Sequence, residues 1–214
     1  MGGSAEATQR WRDAVMAHHD PADGRLEWVG GAPVPAPVRV VAYDDAWPGQ
    51  FESVAAGIRA ALGGAAIAVD HVGSTSVPGL PAKPVIDVDL TVADPADEAA
   101  YVPALEEAGY TLRIREPGWH EHRALVRRDA TDVPQVNLHV FGPNCPENER
   151  HRMFRDWLRA HPEDRDEYRD AKLAAASATG EQLVMDYNRH KEPTIQRLYA
   201  RMFRAAGWLD GDDS

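Results

Sequence analysis

The sequence predicts a mixed α/β fold whose second half is helical, and three observations carry that expectation. Strand-like segments with period-two alternation occupy residues 65–72, 85–92 and 135–141. Between the first of these and the start of the chain, Phe51, Val54, Ala55, Ile58, Ala61 and Leu62 recur at helical spacing. After residue 146 the chain turns into three long segments rich in Arg, Glu and Ala. Strands followed by a run of helices imply an α+β arrangement, a mixed sheet flanked by helices.

The elements follow in order. Residues 1–37 read as an N-terminal arm, a short helix with Trp11 and Val15 on one face and then a Pro/Gly-rich linker. A first strand is expected over 38–42, where Val38, Val40 and Ala42 alternate with Arg39 and Val41. Pro48 suits the first turn of a helix that Gly63 and Gly64 end. Residues 95–108 read as a helix that Pro103 splits or kinks. Residues 110–128 read as two strands joined around Pro117 and Gly118. Helices are expected over 147–160, 162–178 and 181–204, and in the last of these Leu183, Tyr187, Thr194, Leu198 and Met202 form a core stripe. The main domain is therefore placed at 38–207, with 208–214 as an acidic, disordered tail.

Composition narrows the partners. With 34 acidic against 23 basic residues in 214, the formal charge is -11, so nucleic acid is not an expected ligand. No apolar run approaches 18 residues, which argues against a membrane span. The single cysteine, Cys145, cannot form an intrachain disulfide and reads as an inert thiol, as expected of a soluble, cytoplasmic protein.

The chemistry concentrates in the run from His71 to Asp89. Gly73 and Ser74 form a turn in which backbone N–H groups can approach a phosphate, with the Thr75 and Ser76 hydroxyls beside them. Asp87 and Asp89 are two apart in a strand-like run, so both face one side while Ile86, Val88 and Leu90 face the other. Paired carboxylates repel unless a cation or a shared proton lies between them, and an oxygen-rich pair suits Mg²⁺. The competing reading is a loop with a capping serine and two aspartates at a solvated sheet edge. Lys83, in a loop stiffened by Pro78, Pro81 and Pro84, is a phosphate neutraliser or a surface lysine.

A second cluster is Trp119-His-Glu-His-Arg123 with Asn137 and His139. Alternation along a strand would put His120 and His122 on one face, lining a polar pocket or, with His139, ligating zinc. Arg113, Arg115 and Arg123 offer positive charge to phosphates. In the helical half Arg152, Arg155 and Arg159 make one basic face, either surface pairs or a phosphate clamp, and Tyr187 with Lys191 at i,i+4 presents similar chemistry.

The stretch from Val40 to Trp47, the His71–Asp89 block, Asn137-Leu-His-Val-Phe141, Phe154-Arg-Asp-Trp-Leu-Arg-Ala-His161 and Tyr187-x-x-x-Lys191 resemble the GrpB family, also called UPF0157, within the nucleotidyltransferase superfamily. The resemblance spans about residues 38–204. It implies a nucleotidyltransferase-like mixed sheet, Gly73 and Ser74 as the phosphate loop, and Asp87 and Asp89 as Mg²⁺ ligands. The superfamily's third carboxylate falls near Asn137 or His139, where this chain has none, and Asp132 lies five residues upstream. His139, Glu121 or the substrate itself would then act as base.

The function expected is Mg²⁺-dependent nucleotidyl transfer from an NTP, ATP in the first instance, to a small-molecule acceptor, with adenylation leading to ligation as one form. Asp87, Asp89 and His139 are the catalytic candidates. Gly73, Ser74, Thr75, Ser76, Lys83, Arg123, Arg155 and Lys191 are the phosphate-binding ones. The alternative is a non-catalytic, chaperone-like helper of a metabolic kinase such as dephospho-CoA kinase, since members of the family occur fused to that enzyme.

Overall fold

A computed structural model of the chain describes residues 2–17, 26–32, 39–128, 134–179 and 184–210. Contacts divide it into two units, a sheet unit drawn from residues 19–34 and 39–145, and a helical unit drawn from 1–18, 35–38 and 146–214.

The sheet unit contains β1 (Glu27–Trp28), α2 (Trp47–Leu62), β2 (Ala68–Val72), β3 (Val85–Thr91), α3 (Val102–Glu107), β4 (Thr111–Glu116), β5 (His122–Arg127) and β6 (Gln135–Phe141), while α1 (Gly2–Met16) belongs to the helical unit. The six strands lie in the order β1-β4-β5-β6-β3-β2, antiparallel except for β3 and β6, which run parallel. The mixed α/β class is as the sequence predicts.

The two faces of this sheet differ in chemistry because side chains alternate. Ile86, Val88 and Leu90 of β3 and Val136, Leu138 and Val140 of β6 are at most 1% exposed and form one apolar core with Phe51, Val54, Ala55 and Ile58 of α2. The helical stripe and the strand stripe thus bury each other. The opposite face carries Asp87, Asp89, Asn137 and His139, which register places in two adjacent rows: Asp87 beside Asn137, and Asp89 beside His139.

Several boundaries move. The strand expected over 38–42 reduces to one bridge, Val41 to Ala82; residue 38 lies outside the described residues. β2 begins at Ala68 because residues 63–65 form a short 3-10 turn after α2. The helix expected over 95–108 is split, a 3-10 turn at Glu98–Ala100 and then α3 with Pro103 in its first turn, where a missing N–H costs nothing. His120 lies in the link between β4 and β5 and not in a strand, so alternation does not pair it with His122.

The helical unit joins α1 to α4 (Pro146–Ala160), α5 (Pro162–Thr179) and α6 (Val184–Ala205). Val15, fully buried, packs with Met202 and Phe203, and Arg150 donates to the carbonyls of Val15 and Ala17. Tyr187, Thr194, Leu198 and Met202 are buried as the stripe requires; Leu183 lies outside the described residues. So do the segment from His18 to Asp20, Asp132, and residues 211–214 of the tail. Among the described residues no helix is long and apolar enough to cross a membrane, and Cys145 is a buried thiol.

Candidate nucleotide and metal site

The turn after β2 is built from Gly73. Its φ of 66° and ψ of -169° belong to a region that side chains disfavour, and a β-carbon there would lie 2.8 Å from Asp87 Cβ and closer still to Asp87 Oδ2. The turn backbone therefore rests directly on the first carboxylate. Residues Ser74–Ser76 continue as one 3-10 turn. The Ser76 hydroxyl donates to the Gly73 carbonyl at 2.5 Å. The Thr75 hydroxyl lies 3.0 Å from His71 Nε2, and His71 is stacked on Phe51 with ring centroids 4.5 Å apart. Thr75 and Ser76 are buried, Thr75 tied to His71 and Ser76 to the turn's own carbonyl, whereas Ser74 is half-buried.

Asp87 and Asp89 sit two residues apart on β3, about 6.6 Å at strand rise. Asp89 is 1% exposed and Asp87 half-buried. Asn137 Nδ2 donates to Asp87 Oδ1 at 2.6 Å, and Arg128 in turn donates to Asn137 Oδ1. The side chain beside Asp87 in register on β6 is thus an amide that orients it. On the other side, Asp70 of β2 is the cross-strand partner of Asp89 and shares its face.

The same face continues past His139. His122 Nε2 lies 3.1 Å from His139 Nδ1, and His122 Nδ1 lies 2.6 Å from Glu116 Oε2. Trp119 meets His122 edge-on at 5.2 Å, and Phe141 stacks on it at 4.7 Å. Both nitrogens of His122 are thereby engaged by protein groups, and among the described residues no three His, Cys, Asp or Glu side chains converge to hold a metal. The zinc arrangement of His120, His122 and His139 gains nothing from this geometry.

The other residues singled out from sequence divide. Lys83 is half-buried in the segment entering β3, its carbonyl accepting from Val85 N at 2.7 Å. Arg123 is not brought to the carboxylates: alternation turns it to the helix-covered face, where Nε donates to Glu98 at 2.6 Å. Arg115 makes a two-pronged bond to the same carboxylate, at 2.6 and 2.7 Å. Hydrogen bonding from Arg115 first, and from Arg123, holds Glu98 below the ordinary carboxylate range against the opposing pull of its desolvation. Glu121 is exposed, with Arg123 NH1 3.6 Å away. Arg155 and Lys191 belong to the helical unit. Arg155 pairs with Asp156 at 2.8 Å, the surface-pair reading of that face, and Lys191 Nζ lies 3.3 Å from the Tyr168 hydroxyl.

Arg128, Glu116 and Asp70 are functional candidates that sequence reasoning missed. Asp70 had a signal, since it stands on the strand that leads into the turn, one step before His71.

A family model described as GrpB protein matches residues 37–201. A UPF0157 protein of Halalkalibacterium halodurans is 49% identical over 78% of this chain and 83% of its own length. A UPF0157 protein of Streptomyces coelicolor is 38% identical over 82% of this chain and 89% of its own. A dephospho-CoA kinase of Mycolicibacterium paratuberculosis is 32% identical over 82% of this chain, which spans only 47% of that protein. The crystal structure of the conserved protein GrpB from Enterococcus faecalis superposes with a TM-score of 0.67 at 28% identity, over 79% of this chain and 99% of that one. The chain belongs to the GrpB, or UPF0157, family.

Proposed function

We propose that this chain is a Mg²⁺-dependent nucleotidyl-transfer enzyme, acting on an NTP such as ATP and on a small-molecule acceptor, with adenylation ahead of ligation as one form of that reaction. The observation that supports it most is the seating of Gly73 on Asp87, which leaves no room for a side chain between turn and carboxylate. A backbone cradle pressed against an acid is the arrangement needed where a phosphate and its counter-ion must share a small volume.

The donor set fits the ion. Asp87 and Asp89 are hard oxygen donors on one face, and Mg²⁺ takes one or two carboxylates and fills its remaining positions with water and phosphate oxygens. Bound there, it would offset charge on the phosphates as pyrophosphate departs. The chain's own groups would do the rest. Asn137 holds Asp87 in one orientation through Oδ1. The Ser74 hydroxyl and the Ser74 and Thr75 amides donate to phosphate oxygens, in reach because Gly73 lacks a side chain, while the Ser76 amide is taken by the Gly73 carbonyl. His139, in the row of Asp89, takes the proton of the acceptor. The formal charge of -11 favours a small acceptor over a nucleic acid and, with one cysteine, accords with a cytoplasmic setting.

Calorimetric titration of ATP, with and without Mg²⁺, into wild type and into Asp87→Asn with Asp89→Asn tests this. Mg²⁺-dependent binding in the wild type, lost in a double variant that stays folded, is expected. Unchanged Mg²⁺-dependent affinity would remove the site from the carboxylates.

Two observations favour a second reading, a non-catalytic helper of a metabolic kinase: similarity to dephospho-CoA kinases covers less than half of those proteins, and the β6 positions beside Asp87 and Asp89, where the superfamily resemblance implies a third carboxylate, hold Asn137 and His139. Pyrophosphate release across a panel of small acceptors separates the two. Silence across the panel combined with tight kinase binding favours the helper.

A further inference from the structure

The contacts of His122 fix more than its own position. Glu116, His122 and His139 come from the neighbouring strands β4, β5 and β6 and share the carboxylate face of the sheet. The Glu116 and His122 side chains are only 7% and 4% exposed, and Trp119 and Phe141 pack against the His122 ring. With Glu116 ionised, its carboxylate only accepts hydrogen bonds, and His122 Nδ1, 2.6 Å from Oε2, then carries a hydrogen. In neutral His122 the remaining nitrogen then has only a lone pair. Nε2 must accept, and the donor across the 3.1 Å contact is His139 Nδ1–H. One buried carboxylate at the far end of the chain of bonds thereby sets the tautomer of both rings.

We propose that Glu116 and His122 are positioning residues for His139, holding it as the Nδ1–H tautomer with the Nε2 lone pair directed away from β5. The inference rests on the nucleotidyl-transfer reading only for its chemical consequence. In that reaction the acceptor X–H attacks the α-phosphorus, an X–P bond forms, and the P–O bond to pyrophosphate breaks with its electron pair leaving on pyrophosphate. The proton of X–H passes to His139 Nε2. The Nδ1 proton can then pass to His122 Nε2, which leaves the positive charge beside Glu116, where a carboxylate stabilises it. Without the relay His139 would adopt the Nε2–H form that free histidine favours, and its lone pair would point into the sheet toward β5.

Two-bond ¹H–¹⁵N correlation spectra of ¹⁵N-histidine-labelled protein, free of nucleotide and at a pH about two units above the usual imidazole range, read the tautomers directly. The wild type is expected to show His139 with protonated Nδ1 and unprotonated Nε2. In His122→Phe, which keeps a ring against Phe141 but has no nitrogen, His139 is expected to change to Nε2–H. In Glu116→Leu both histidines are expected to become tautomer mixtures, and this variant decides the matter alone if His122→Phe does not fold. A wild-type His139 in the Nε2–H form, or a His139 that keeps a pure Nδ1–H form in a folded variant, overturns the proposal. Because no nucleotide is present, the result is separate from the ATP titration. A protein that fails that titration but shows the expected tautomers keeps the positioning pair and loses the transferase.

Discussion

Gly73 and Asp87 occupy adjoining space on one face of the sheet, with the glycine Cα where any other residue would drive a β-carbon to within 2.9 Å of both Cβ and Cγ of the aspartate. The same glycine has φ 66°, so a side chain is opposed twice, by backbone conformation and by contact. Gly73→Ala is expected to cost about 2–4 kcal/mol of stability and to abolish Mg²⁺-dependent ATP binding. Gly79 is the control. Its φ is 78° but a β-carbon there meets nothing within 4 Å, so Gly79→Ala should lose only about 1 kcal/mol and keep binding. Urea denaturation of both variants checks the difference. Equal losses would mean that contact with Asp87 contributes nothing.

What could be read in advance followed from periodicity. The stripe of α2 and the alternation of β3 and β6 each specify a face without further information, and so Asp87, Asp89, Asn137 and His139 fall together. What could not be read depends on one inserted residue. β4 is bulged between Leu112 and Ile114, so Leu112 stays with Leu125 in the core while Ile114 and Glu116 cross to the carboxylate face. Strict alternation would have kept Glu116 on the side of Leu112, away from His122. Arg123 illustrates the converse: its charge pointed to phosphate, but its parity in β5 sends it to Glu98. The role of Asn137 was hidden too, because an amide's partners are set by geometry and leave no trace in spacing.

Asn137 offers a direct test of the proposed metal site. It donates to Asp87 Oδ1 at 2.6 Å, so Asn137→Asp replaces a donor with a like charge at that distance. In the absence of metal the variant is expected to lose roughly 1–3 kcal/mol, part of it recovered by Arg128, which already reaches this side chain. With Mg²⁺ the order should reverse, the thermal midpoint of Asn137→Asp rising more than that of the wild type. A midpoint in the variant that ignores Mg²⁺ would place the ion elsewhere.

Glu98 links pH to stability on the opposite face. Its folded pKa is depressed, chiefly by the hydrogen bonds from Arg115, so its contribution is fully present above the ordinary carboxylate range and is lost as pH falls through the depressed value. Glu98→Gln should therefore cost about 2 kcal/mol at neutral pH, much of it because Arg123, only 6% exposed, loses its charged partner. Denaturation midpoints of the two proteins should converge in acid and separate again above about pH 5. A difference that does not change with pH would mean that the bond's strength does not come from the charge.

The link from β4 to β5 holds strain that can be released. His120 and Glu121 have φ of 53° and 52°, successive left-handed residues with side chains. They persist because the link is tied at both ends, Trp119 N to the Glu116 carbonyl and His122 N to the Trp119 carbonyl, each at 3.0 Å. That geometry delivers the Trp119 ring onto His122. Both residues are exposed, so replacing either by glycine removes little buried surface, although the His120 ring gives up a tilted contact with Trp119 at 5.5 Å, and relieves the conformation. His120→Gly and Glu121→Gly are each expected to stabilise the protein by about 0.5–1 kcal/mol, seen as a higher denaturant midpoint at unchanged slope. Glu121→Gly also gives up a 3.6 Å contact with Arg123, but a pair whose carboxylate is 47% exposed contributes little. His120→Val should do the opposite, because a β-branched residue tolerates this backbone least. If glycine at both positions destabilises, the link is held by its side chains and not in spite of them, and Trp119 would owe its place to contacts of its own.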